Sequence, residues 1–321
     1  MSRRNGYLLT YLLVMIGLTT TRIGFREGWF GVLSNHDSDL LFSFIAQVFC
    51  MGIIPLLGIG ILADKGEGFR PLQERLYIKP VKDKRVIIIS VLIALIHVVI
   101  NGGVSTVWGM IVKSTGYSSV VADGEIINTF GGLILALFTS AVLPAFFEEI
   151  THRGLATSMT GGNVHKRVIL SALLFALMHQ NIMQTGYTFI SGIVMGYLTV
   201  YTGSIFPAML THFVNNALVQ IRIYSHYTKG LVATIYSGIY ALMNTWWGMA
   251  ILFILWALSV FVVVLLFLSL KKKGEREDIR LSTVVVEEGK REKVLSRFLW
   301  TAILTLSSLT TVYSYVVGLI R

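Results

Sequence analysis

Glu148 and Glu149 stand side by side at the end of an apolar run, Phe146-Phe147-Glu148-Glu149-Ile150-Thr151-His152-Arg153. Two further apolar stretches carry polar clusters: Phe175-Ala176-Leu177-Met178-His179-Gln180-Asn181 and His212-Phe213-Val214-Asn215-Asn216. Ionisable groups inside a bilayer cost about 2.5 to 3.5 kcal/mol each on insertion scales, so such clusters mark a functional site. Helical spacing sorts them. Glu149 and Arg153 are four apart and suited to an intrahelical ion pair, and His212 and Asn216 share a face, whereas neighbouring residues diverge by about 100 degrees. Glu149 is therefore expected to pair with Arg153, which leaves Glu148 as the candidate base. A desolvated carboxylate can polarise a water for attack on a peptide carbonyl. One histidine can assist proton transfer, while another histidine and an asparagine amide can donate to the oxyanion. Glu148, His179 and His212 could instead hold a zinc ion with an open water position.

The elements that must position these residues read as membrane helices. Hydrophobic residues make up 54% of the 321 and charged residues 14%, and mean hydropathy is +0.71, which excludes an ordinary soluble domain and a disordered chain. Candidate spans lie near 7–23, 39–63, 86–112, 126–159, 168–183, 186–202, 204–221, 246–270 and 298–320, each long enough or nearly so for a hydrocarbon core of about 30 Å. The net charge of +10 is concentrated in loops without basic-aromatic interleaving, so membrane orientation explains it and nucleic acid is not an expected partner. The single cysteine, Cys50, excludes an intrachain disulfide and a cysteine metal site.

Basic residues from Lys65 to Arg85 and at Lys271-Lys272-Lys273 mark cytoplasmic loops. Counting crossings then puts the N-terminus, the Gly161–Arg167 turn and the Thr202-Gly203 turn on the same side. The C-terminus falls outside the cytoplasm. This parity requires the short apolar piece Leu231–Met243 to lie at the outer surface or to re-enter. Measured along the helices from the inner turns, Glu148 lies about 20 Å, His179 about 16 Å and His212 about 12 Å deep, a shared level. The organisation expected is a membrane body over 1–270 with its catalytic core at 126–220, a charged cytoplasmic linker over 271–297 with a short strand at Thr283–Val286, and a further transmembrane helix over 298–321.

Glu148-Glu149-x-x-x-Arg153, Phe175-x-x-x-His179 and His212-x-x-x-Asn216, the last preceded by Gly203-Ser204-Ile205-Phe206-Pro207-Ala208, resemble the ordered motifs of the CPBP family, the CAAX proteases and bacteriocin-processing enzymes. Three motifs in order, each on its own apolar stretch, make the resemblance specific over about residues 126–220. It implies an all-α, polytopic fold with an eight-helix body, to which this chain adds one C-terminal helix. It also implies an intramembrane endopeptidase in which Glu148 activates water, His179 assists, and His212 with Asn216 supports the oxyanion. Glu149 and Arg153 would support the site. Zinc on Glu148, His179 and His212 and a metal-free glutamate mechanism are both described for the family. The implied substrate is a membrane-bound protein or peptide, with pheromone or bacteriocin maturation, or self-immunity, ahead of prenylated CAAX proteins. The rival reading is a non-proteolytic membrane scaffold or immunity protein that binds a partner membrane protein.

Bland roles account for the other polar residues. Glu149-x-x-His152 lacks the second such motif that a di-iron bundle needs. His97, alone in an apolar helix, and His36, His165 and His226, in or near loops, are not expected to be catalytic. Phe175 is expected to pack, and to shield His179 from water. Gly192-x-x-x-Gly196 is expected to allow close helix packing.

Overall fold

The structure, a computed structural model, describes residues 2–29, 41–63, 73–74, 76–118, 127–160, 163–276 and 290–320. Among these are ten helices and no strand. They are α1 (Arg3–Arg26), α2 (Leu41–Leu62), α3 (Lys84–Ser114), α4 (Phe130–Met159), α5 (Val164–Met178), α6 (Ile182–Thr202), α7 (Phe206–Thr228), α8 (Leu231–Met243), α9 (Trp246–Arg276) and α10 (Lys290–Ile320). The chain is an all-α, polytopic membrane bundle. Six of these helices, α1 to α4, α9 and α10, are long and apolar enough to cross a membrane. Helices α5, α6 and α7 bring the polar residues, and α5, with 15 residues, is only about 22 Å long. The strand expected at Thr283–Val286, the residues Gly161 and His36, and residues 65–72 and 75 of the basic stretch lie outside the described residues.

Local chemistry sets the helix boundaries. Asp83 accepts from the backbone N–H groups of Arg85 and Val86 at the start of α3, and Asn163 accepts from Lys166 at the start of α5. Thr129 does the same for Gly132 in α4. The turn between α6 and α7 uses Gly203 at φ +64, followed by Pro207 in the first turn of α7. The span expected at 168–183 is broken: α5 stops at Met178, Gln180 takes φ +51, and Asn181 caps α6 by accepting from the Met183 N–H. His179 therefore sits at a helix end and not within a helix.

Two proline-linked distortions shape the helices that meet at the glutamates. Helix α2 is π-helical over Ala46–Ile53 ahead of Pro55, and α4 over Phe138–Val142 ahead of Pro144 and again over Ile150–Ala156. A proline offers no N–H to the carbonyl four residues earlier. In a bilayer that carbonyl needs another donor. The carbonyl four before Pro55 belongs to Met51, and the Thr151 hydroxyl donates to it (3.1 Å). The one four before Pro144 belongs to Ser140, and the Asn216 amide donates to it (3.1 Å).

Helix α1 buries one face in the bundle and leaves Leu13, Ile16 and Ile23 exposed on the other. Tyr7, Leu8, Tyr11, Val14 and Met15 are fully buried in a core shared with α2, α4, α5 and α10, the last through Leu299 and Ile303. A second core joins α3, α6 and α9 through Ile89, Ile93, Leu198, Val263 and Leu270. Where α5 and α6 meet, a Cβ on Gly192 would lie 2.8 Å from Ala172 Cα, and one on Gly196 would lie 2.8 Å from Val168 Cγ1. Both glycines thus admit the neighbouring helix. Most apolar side chains of α9, Phe253, Leu255 and Phe261 among them, face outward, as lipid contact requires.

One end of the bundle collects the segments to which crossing parity assigns a common side. The Ser2 N–H and the Asn5 amide donate to the Glu292 carboxylate, joining the starts of α1 and α10. Arg4 donates to Met159 O and Arg167 to Thr157 O, joining the start of α1 and the start of α5 to the end of α4. Ser204 donates to Lys79 O, and Lys273 pairs with Asp83. At the other end Ser118 N donates to Gly318 O, and the rings of Tyr117 and Tyr315 stack.

Candidate active site

Glu148 and Glu149 complete an α-helical segment of α4 just before its second π-helical stretch, and both are buried, at 5% and 0% exposure. Glu149 Oε2 lies 3.0 Å from Arg153 Nε. The guanidinium is close without being aligned for a hydrogen bond, and all three of its nitrogens are buried without an acceptor. Its charge is answered instead by Glu149 and by the Phe175 ring, whose centroid is 4.6 Å from Cζ.

The second contact of Glu149 departs from the sequence expectation. His212 donates Nδ1–H to Glu149 Oε1 at 2.9 Å, and its Nε2 faces Glu148 Oε2 at 3.9 Å. Helical spacing alone separates the two glutamates by about 100 degrees. A single imidazole from α7 bridges that divergence because its two nitrogens lie on different edges of one ring. Glu149 therefore serves Arg153 and His212 together. The Nδ1 contact to a carboxylate fixes the tautomer, with Nε2 on the side of Glu148.

Glu148 has one oxygen held and one open. Gln47, from the π-helical part of α2, donates Nε2–H to Glu148 Oε1 at 2.6 Å. Glu148 Oε2 is buried and has no hydrogen-bond donor among the described residues. The 3.9 Å gap to His212 Nε2 is too long for a direct hydrogen bond and suits a bridging water.

His179 reaches the same place from the end of α5. Its Nδ1–H donates to Phe175 O at 2.8 Å, which leaves Nε2 as the ring nitrogen without a proton, and its ring and that of His212 both rest on Phe175. The α1 side chains hold this helix end: Arg22 donates to the carbonyls of His179 and Gln180, and the Gln180 amide donates to the Thr19 hydroxyl. The Phe175 ring is the hub of the site. The imidazoles of His152, His179 and His212 all meet it edge to face, with centroids at 5.0, 4.9 and 5.7 Å. His152 is itself committed, donating from Nδ1 to Glu148 O and accepting from the Tyr11 hydroxyl at Nε2.

Asn216 stands one turn beyond His212. Its amide donates to Ser140 O and accepts from Asn215, so one N–H is committed to the carbonyl that Pro144 leaves without its donor. Behind it runs a polar chain through two further helices, α3 and α6. Asn101 donates to Asn215, Ser191 donates to Asn101, and His97 Nε2 lies 3.0 Å from the Ser191 hydroxyl. Phe175 was expected to pack beside His179, though not to gather three imidazoles, while Gln47 and Asn101 were not picked out from the sequence. The available signal was the same as for the glutamates: a carboxamide inside an apolar run.

If the site takes a zinc ion, Glu148 Oε2 and His212 Nε2 are the atoms that would hold it. Among the described residues no three His, Cys, Asp or Glu side chains gather as a metal cage. Two ligands of a tetrahedral zinc stand about 3.4 Å apart. Glu148 Oε2 and His212 Nε2 are 3.9 Å apart, and the Nδ1–H bond to Glu149 leaves His212 Nε2 able to coordinate, as in a carboxylate–histidine–metal arrangement.

No curated protein and no solved structure matches the chain. Residues 130–218, the segment that carries Glu148, His179, His212 and Asn216, match the family model described as Rce1-like, type II CAAX prenyl endopeptidase, which is the CAAX protease family that the three motifs indicate.

Proposed function

We propose that the protein is an intramembrane endopeptidase that uses Glu148 to activate water against a peptide bond of a membrane-associated protein or peptide. The observation that carries this reading is the buried Glu148 carboxylate, with Oε1 held by Gln47 and Oε2 facing His212 Nε2 across 3.9 Å. Its position inside the segment matched by the endopeptidase family supports the same reaction.

In this mechanism a water donates to Glu148 Oε2, loses that proton to it, and attacks the carbonyl carbon. His212, oriented by Glu149, and the second N–H of Asn216 face the developing oxyanion. Because Nδ1–H is held by Glu149, His212 donates there only as the imidazolium, with a second proton on Nε2. As the tetrahedral intermediate collapses, the C–N bond breaks and the proton held by Glu148 passes to the leaving amine. His179, with Nε2 free of a proton, assists that transfer. The Phe175 ring and the surrounding helices exclude bulk water, which strengthens each of these contacts.

No step requires a metal. Purified full-length protein in liposomes, given a panel of membrane-associated peptides, is expected to hydrolyse a single bond equally well with and without a strong zinc chelator. In water enriched in heavy oxygen the new carboxyl group should carry the label. Activity abolished by the chelator and restored by zinc would contradict the metal-free route.

A further inference from the structure

We infer that Gln47 is a positioning residue for Glu148: it holds one carboxylate oxygen and thereby dedicates the other to the water. This rests on the endopeptidase reading above. Gln47 lies in α2, outside the segment that matches the family model, among Phe44, Ile45, Ala46, Val48 and Phe49. A carboxamide in such surroundings is costly unless it is paired. Its only described hydrogen bond is the 2.6 Å contact to Glu148 Oε1.

The chemistry of the pair leaves one orientation. An ionised carboxylate only accepts, so the amide must present Nε2–H to it; the flipped amide would set two acceptors against each other. The contact fixes the carboxylate plane and leaves Oε2 as the oxygen that meets His212 and the water. The amide oxygen of Gln47 is itself buried without a donor among the described residues, as is Glu148 Oε2. The π-helical turns of α2 and α4 bring the two residues into register, and the Thr151 to Met51 hydrogen bond ties the same helices on the next turn.

The test compares Gln47→Met, Gln47→Glu and Glu148→Gln in the full chain reconstituted in liposomes. Met keeps the length of the side chain and suits an apolar helix, so folding should be retained. With the donor gone the carboxylate rotates more freely, and kcat should fall about 10- to 100-fold, with KM changed by less than about twofold. Gln47→Glu keeps the shape but makes two carboxyl groups share a proton, which weakens Glu148 as a base, so it should fall at least as far, which provides a second reading if the Met variant unfolds. A merely structural Gln47 would lower the amount of folded protein without changing kcat per folded molecule. Wild-type kcat in Gln47→Met, with Glu148→Gln inactive, overturns this inference alone. Wild-type cleavage by Glu148→Gln overturns the endopeptidase mechanism beneath it.

Discussion

At the scale of single residues, the site is governed by how buried charges are answered. Arg153 and Glu149 are both fully buried and 3.0 Å apart, and the rest of the arginine charge rests on the Phe175 ring. Removing one partner of a buried pair is costly because the other is left uncompensated, about 3 to 5 kcal/mol. Arg153→Met should therefore lower the denaturation midpoint of purified protein strongly. Adding Glu149→Gln to it should recover most of that loss. Equal midpoints for wild type and Arg153→Met would show that the pair does not sustain the fold. The sequence made this contact legible through its spacing of four. It did not make the His212 bridge legible, because helical spacing describes one helix and His212 arrives from another. Gln47 was hidden for the same reason: it lies about a hundred residues before Glu148, and only tertiary packing brings them together.

At the scale of elements, the helices that carry the site are held by small residues and by capping. The expected span from 168 to 183 proved to be two elements, because Gln180 turns left-handed and Asn181 opens a new helix. Apolar composition is continuous across that point, so hydropathy did not reveal the break, although Gln180-Asn181 is a polar pair with turn chemistry. The π-helical stretches had no sequence signal beyond Pro55 and Pro144. The glycine pair on α6 was legible by its spacing. Adding a side chain there forces α5 and α6 apart, and overpacking typically costs about 1 to 3 kcal/mol. Gly192→Val should accordingly lower the denaturation midpoint and move the His179 end of α5 relative to Glu148, reducing cleavage. An unchanged midpoint and rate would contradict the close approach of Gly192 to Ala172.

At the scale of the whole molecule, ten helices bring one polar level into an apolar bundle. The starts of α1, α3, α5 and α10 and the ends of α4, α6 and α9 share one end of it, and the lysines at 271–273 lie there. The basic residues of the sequence lead to the expectation that this end faces the cytoplasm. In a Cys50→Ser background, Lys272→Cys should react with an impermeant thiol reagent only after permeabilisation, and Ser114→Cys in intact cells; the reverse pattern would invert the topology. Composition made the membrane class legible, and the three motifs made the polar level legible; the packing of α10 against α1 was not, because an amphipathic pattern does not name its partner. The central claim is that Glu148 activates the attacking water. It is tested most directly by the single-turnover rate of peptide-bond cleavage in full-length Glu148→Gln, compared with wild type at equal folded concentration. The account predicts a loss of about a thousandfold or more, since the base is removed while the shape is kept. A Glu148→Gln rate within a few-fold of wild type would contradict it.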